Sequence, residues 1–97
     1  MQDNKKSILL EDHIKMAIED LGATKIEIVT NPSTFSAIAE EIEPAKDGAK
    51  WPTWKGYRIS YSTGMIYEAK IYCMLDRPDG SRYRAALLIA DFEEIDQ

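Results

Sequence analysis

From Tyr57 onward, apolar and polar residues alternate. Tyr57, Ile59 and Tyr61 fall on one side, as do Ala69, Ile71, Cys73 and Leu75, and then Tyr83, Ala85, Leu87 and Ile89. Runs of period two predict half-buried strands. The breaks between them, Ser62-Thr63-Gly64 and Pro78-Asp79-Gly80, each end in glycine. A three-residue hairpin loop needs this when its last residue takes positive φ and forms a bulge. Together they predict a three-stranded antiparallel meander from Gly56 to Asp91. The loop length sets the register. Around the first turn Tyr61 should face Met65, Ile59 should face Tyr67, and Tyr57 should face Ala69. Around the second, Arg77 should face Ser81, Leu75 Tyr83, Cys73 Ala85, Ile71 Leu87 and Ala69 Ile89. A slip of one residue would scramble the apolar set.

Upstream the period changes. Leu10, Ile14, Ala17, Ile18 and Leu21 recur at helical spacing, with Ser7 as N-cap and Gly22 where a C′ residue belongs. Ile8, Leu9 and Met16 lie off that stripe. Lys25 to Thr30 alternates again, placing Ile26 and Ile28 inward in a short strand. Asn31-Pro32 then opens a second helix, the asparagine capping and the proline losing no hydrogen bond at the first helical position. Its buried stripe is Phe35, Ile38, Ala39 and Ile42, and Pro44 ends it. Residues 44–56 read as a loop, residues 1–6 as a flexible start and residues 92–97 as an acidic tail. The order α-β-α-β-β-β predicts one α+β domain over residues 1–97. Two helices would cover one face of a four-stranded mixed sheet, its first two strands parallel where they share that sheet.

Composition narrows the possible functions. The 97 residues suffice for one core, and the net charge of −5 argues against wholesale nucleic-acid binding. A single cysteine, Cys73, excludes an internal disulfide and fits a reducing compartment. Its strand position predicts a small buried hydrophobe. The longest apolar run, Ala85 to Ala90, is far too short for a membrane span, so a cytoplasmic protein without membrane contact is expected.

Catalytic signatures are thin. His13 is the only histidine, so no histidine pair can hold a metal, and helical phase puts it among exposed residues beside the buried stripe. An inward Cys73 is not the exposed thiolate that a nucleophile requires. There is no Gly-rich phosphate loop, nucleophile elbow or Cys-x-x-Cys. The expectation is a protein that is not an enzyme, with no catalytic residue, metal site or cofactor.

Three surface constellations remain. Glu40, Glu41 and Glu43 crowd the expected last turn of the second helix, where the helix dipole disfavours negative charge. Glu93 and Glu94 repeat the pattern in the tail. Trp51 and Trp54 either lid the core or anchor a partner. These seven residues form the expected contact with a larger protein or nucleoprotein that presents a basic surface, in the manner of a nucleic-acid mimic. The outward sheet face carries Arg58, Lys70, Tyr72 and Arg84, a set able to stack on and bind single-stranded nucleic acid. In the expected register Arg58 faces Glu68 there, and Asp76 faces Arg82. Ile66, Met74 and Leu88 share that face. With the spare apolar residues of the first helix they would support a homo-oligomer, so monomer and small homo-oligomer both stay open.

Residues Ile28-Val29-Thr30-Asn31-Pro32-Ser33-Thr34-Phe35-Ser36-Ala37-Ile38, followed by Trp54-Lys55-Gly56-Tyr57-Arg58-Ile59-Ser60, resemble a segment of tailed-phage major capsid proteins of the HK97-like fold. There a strand leads into an Asn-Pro helix and a strand opened by glycine follows. Those proteins are several times longer, with an extended arm and loop, so the chain does not read as a complete shell subunit. The resemblance implies a phage or mobile-element neighbourhood. Small phage anti-defence inhibitors of the anti-CRISPR type look like this chain in size and charge. The function so implied is stoichiometric inhibition of a larger partner in the host cytoplasm, the alternative being a virion structural or assembly protein.

Overall fold

The computed structural model describes residues 5–90. The expectations for the first four residues and for the acidic tail, including Glu93 and Glu94, lie outside the described residues. The elements are α1 (Lys5–Leu21), β1 (Thr24–Thr30), α2 (Pro32–Ala37), a 3-10 turn (Ala39–Glu41), β2 (Ile42–Glu43), β3 (Thr53–Trp54), β4 (Tyr57–Tyr61), β5 (Ala69–Asp76) and β6 (Arg82–Ile89). All six strands join one mixed sheet in the order β2-β3-β4-β1-β5-β6. The class is α+β, built from one long helix and six strands rather than two helices and four strands.

The second hairpin has the register its loop length requires. Arg77 N–H donates to Ser81 O, Gly80 takes φ +90°, and Asp76↔Arg82 through Ala69↔Ile89 pair without a slip. The first hairpin does not exist. β1 lies between β4 and β5, parallel to the former (Ile28↔Ile59, Thr30↔Tyr61) and antiparallel to the latter (Ile28↔Ile71, Thr30↔Ala69). Residues 62–68 therefore straddle the end of β1: Ser62 N–H donates to Thr30 O, and Asn31 N–H donates to Glu68 O. Tyr57, Ile59 and Tyr61 consequently face Trp54, Ile28 and Thr30, not Ala69, Tyr67 and Met65. A central strand has both edges paired, and β1 is such a strand, with Ile26 and Ile28 inward and Glu27 and Val29 half-buried on the other face.

A further turn went unseen in the pattern. Trp54 pairs with Tyr57 across Lys55-Gly56, both at positive φ (50° and 87°), a two-residue turn whose twist suits a hairpin. Part of the expected loop at 44–56 is thus strand.

α1 begins at Lys5, so Ser7 is not its cap. Instead Ser7 is buried inside the helix. Gly22 ends the helix at φ +68°, its N–H on Ile18 O as in an αL cap, and Ala23 N–H bonds Ala17 O. Leu10, Ile14 and Ala17 are buried, but Ile18 and Leu21 are exposed. α2 is shorter than expected. Asn31 caps it by accepting from Thr34 N–H at 2.7 Å, yet it stops at Ala37. Ile38, fully buried, leaves helical geometry at φ −108°, and Ile42 continues extended to pair with Trp54. Tertiary pairing overrides a stretch whose local propensity is helical.

The core lies between helices and sheet: Leu10 and Ile14 from α1, Ile38, and Ile28, Trp54, Ile59, Ala69, Ile71 and Ile89 from the strands. Cys73 is buried with Ala17 and Ala23 in a smaller cluster, and burial pushes its thiol pKa up. No described helix is long and apolar enough to cross a membrane.

Candidate functional site: the uncovered face of the sheet

The helices pack on one side of the sheet only. On the other, the pairings trace an unbroken row across all six strands: Glu43, Thr53, Arg58, Glu27, Tyr72 and Ala86. A second row runs Ser60, Val29, Lys70 and Leu88. Strand alternation alone puts these side chains together, since every second residue shares a face.

Charge is laid out around one carboxylate. Glu27 sits in the middle strand, with Arg58 Nη1 at 3.8 Å from Oε1 and Arg84 Nη2 at 4.0 Å from Oε2. The Arg84 guanidinium lies over the Tyr72 ring at 4.9 Å. At such distances and exposures these pairs orient side chains more than they stabilise the fold. Apolar surface interrupts the charge. Leu88 is 51% exposed, Trp51 is 47% exposed, and Val29, Tyr72 and Met74 are half-buried. Trp51 rims a shallow depression with Glu27, Val29, Arg58 and Ser60. Pro52 O, the next residue, accepts from Ile59 N–H and holds that segment against β4.

The structure separates the residues expected to form an acidic contact. Because α2 ends at Ala37, Glu40 and Glu41 lie in the 3-10 turn after it instead of crowding its C-terminus. Glu43 stands on the uncovered sheet face. Glu41 is turned inward: its Oε1 accepts from Ser7 Oγ at 2.5 Å and from Trp54 Nε1 at 3.0 Å, with Lys55 Nζ at 3.9 Å. Trp54 is 0% exposed and part of the core, which leaves Trp51 as the tryptophan with surface to offer. Glu40 is exposed.

Arg58, Lys70, Tyr72 and Arg84 do share one face. Glu68 does not join them. It lies just before β5 and turns toward the helices, where Thr34 Oγ1 donates to its Oε2 and Lys6 Nζ approaches at 3.4 Å. Ile66 is 85% exposed on the connection between β4 and β5 rather than on a strand. Asp76 does pair with Arg82, at 3.2 Å.

Glu27 was the residue missed. Its place between the inward Ile26 and Ile28 signals an outward carboxylate, but nothing local signals that its strand is central. His13 is half-buried, its Nδ1 2.7 Å from Leu9 O. Among the described residues no cluster of His, Cys, Asp or Glu is arranged to hold a metal.

Residues 28–38 fold as a strand leading into an Asn-capped helix, an arrangement that Asn-Pro chemistry accounts for by itself. The chain matches no family model, no curated protein and no solved structure.

Proposed function

We propose that this protein is a non-enzymatic protein-binding module that holds a larger partner on the uncovered face of its sheet. The observation that carries this is the six-strand row itself. It is a continuous surface with no covering layer among the described residues, bearing arginine, tyrosine, methionine and an exposed tryptophan, residues enriched where proteins meet. The alternating Glu43, Arg58, Glu27 and Arg84 would set orientation, and Trp51 and Leu88 would supply desolvated anchor area. Acting as a stoichiometric blocker requires no more than occupying the partner's surface. The narrower reading, a phage-encoded inhibitor, rests on the capsid resemblance of residues 28–38 and 54–60 together with size and charge.

Single-strand nucleic-acid binding is the second reading, favoured by the shared face of Arg58, Lys70, Tyr72 and Arg84. It is the weaker one. Arg84 already lies over the Tyr72 ring, and Glu27 neutralises the arginines from between them.

The test is affinity capture from a host lysate with wild-type chain, a sheet-face variant (Trp51→Ala with Arg84→Glu) and a helix-face variant (Glu11→Lys with Glu19→Lys). A partner held by the wild type and the helix-face variant but lost by the sheet-face variant supports the proposal. Equal capture by all three overturns it. A labelled single-stranded oligonucleotide at low salt decides the second reading.

A further inference from the structure

The two edges of the sheet are unlike. One is β2, two residues long. The other is β6, eight residues without proline, and its register against β5 runs unbroken from Arg82 to Ile89. Arg77 N–H bonds Ser81 O, so the closely bonded pairs of that ladder are the odd-numbered residues of β6: Tyr83, Ala85, Leu87 and Ile89. The N–H and C=O groups of Arg82, Arg84, Ala86 and Leu88 therefore point outward, away from β5. Among the described residues no strand pairs with them. Proteins shield such an edge by shortness, charged side chains, a bulge or proline. β2 is shielded by shortness; β6 carries charge only at Arg82 and Arg84, and from Ala85 to Ile89 has none of these.

We infer that β6 pairs antiparallel with β6 of a second copy of this chain, joining two sheets into one of twelve strands. Self-pairing fits this edge for three reasons. First, antiparallel pairing about a two-fold axis through Ala86 sets outward-pointing residues opposite one another (Arg84 with Leu88, Ala86 with itself) and overlaps the strands from Tyr83 to Ile89. It gives each outward group a partner from the same repeating set. Second, centring there puts Arg84 opposite an apolar residue at the other end of the second copy's strand. Centring on Arg84 would oppose like charges, which is destabilising. Third, the small Ala85 and Ala86 let the backbones approach at the axis, while the exposed side chains of Tyr83 and Leu88 gain neighbours from Leu87, Ile89 and Ala86 of the second copy. Since an axis normal to the sheet keeps faces aligned, the uncovered faces of both copies would become one surface. The inference stands on the backbone of β6 and does not depend on what that face binds.

Two measurements on the full chain test it. Light scattering across a concentration series should give twice the 11.0 kDa of one chain. Hydrogen exchange on the wild type should show Arg84, Ala86 and Leu88 amides protected at dimer-forming concentrations and losing protection on dilution. Ala86→Pro removes an outward N–H and no bond to β5, and should weaken self-association at least about tenfold with unchanged circular dichroism. A chain that stays monomeric at high concentration overturns the inference. So does a dimer whose Arg84, Ala86 and Leu88 amides exchange freely, and so does protection of those amides that is independent of concentration. The exchange experiment needs no variant, so the inference stays decidable if Ala86→Pro fails to fold.

Discussion

The indole N–H of Trp54 donates to Glu41 Oε1 at 3.0 Å, the same oxygen that accepts from Ser7 Oγ at 2.5 Å. One carboxylate thus ties the start of α1, the 3-10 turn and β3 together. Glu41→Ala would leave the buried Trp54 indole N–H without its acceptor and take one partner from Ser7. An unsatisfied buried donor costs roughly 1–3 kcal/mol, so a loss of about that size is expected in urea unfolding. Glu41→Gln keeps an acceptor and should lose less. Equal stability of wild type and Glu41→Ala would show that the link carries no weight.

Glu68 plays a corresponding part between the start of α1 and α2, accepting from Thr34 Oγ1 with Lys6 alongside. Thr34 is fully buried, so Thr34→Val keeps its shape and removes only the hydroxyl. The expected cost is about 1–2 kcal/mol, with exchange protection in α2 falling first. Unaltered amide exchange across Pro32–Ala37 would contradict this.

The two glycine-ended breaks should respond differently to alanine. Gly80 holds φ +90° in a true hairpin loop, where a side chain is strained, and Gly80→Ala should cost about 1–2 kcal/mol. Gly64 is not among the positive-φ residues, and a Cβ there meets nothing within 4 Å. Gly64→Ala should stay within about 0.5 kcal/mol of wild type. Comparable losses at both positions would argue for two hairpins after all.

In the same hairpin, Ser81 Oγ at 2.6 Å and Ser81 N–H at 2.9 Å both donate to Asp79 Oδ1 and hold its carboxyl below the ordinary range, the hydroxyl contributing most. A depressed folded pKa means stability that is present above the ordinary carboxylate value and lost as pH falls through the folded value. Ser81→Ala should move the Asp79 titration upward in an NMR experiment and flatten the acid limb of stability against pH. An Asp79 carboxyl that titrates identically in both proteins would contradict the bond assignment.

What the sequence disclosed follows from how far apart the deciding residues lie. The register of β5 and β6 was legible because Pro78-Asp79-Gly80 sets it locally. The caps at Asn31 and Gly22 were legible for the same reason. The insertion of β1 between β4 and β5 was not, because no local feature distinguishes Ile59 beside Tyr67 from Ile59 beside Ile28. Even so, Tyr57 and Ile59 point inward and Arg58 outward as expected, since alternation decides the face whatever the neighbour. Arg58, Lys70, Tyr72 and Arg84 were grouped correctly on that ground. Glu41 reads as surface because helical phase extends through Ile38, where pairing of Ile42 with Trp54 ends it; of the two readings open for Trp54, core lid and partner anchor, the structure gives the core. Glu68 went astray with the hairpin that was to place it.

The middle position of β1 also dictates an order of events as the chain emerges during synthesis. Its two neighbours in the sheet, Tyr57–Tyr61 and Ala69–Asp76, are both made later, so a nascent chain that stops before Ala69 has no strand to offer its second edge. The β5–β6 hairpin closes on its own in about 1–10 μs, while lodging β1 in its slot must await long-range loop closure. Completion of the sheet is therefore the slow step, and nascent chains cut short of β5 are the ones a chaperone or protease would meet.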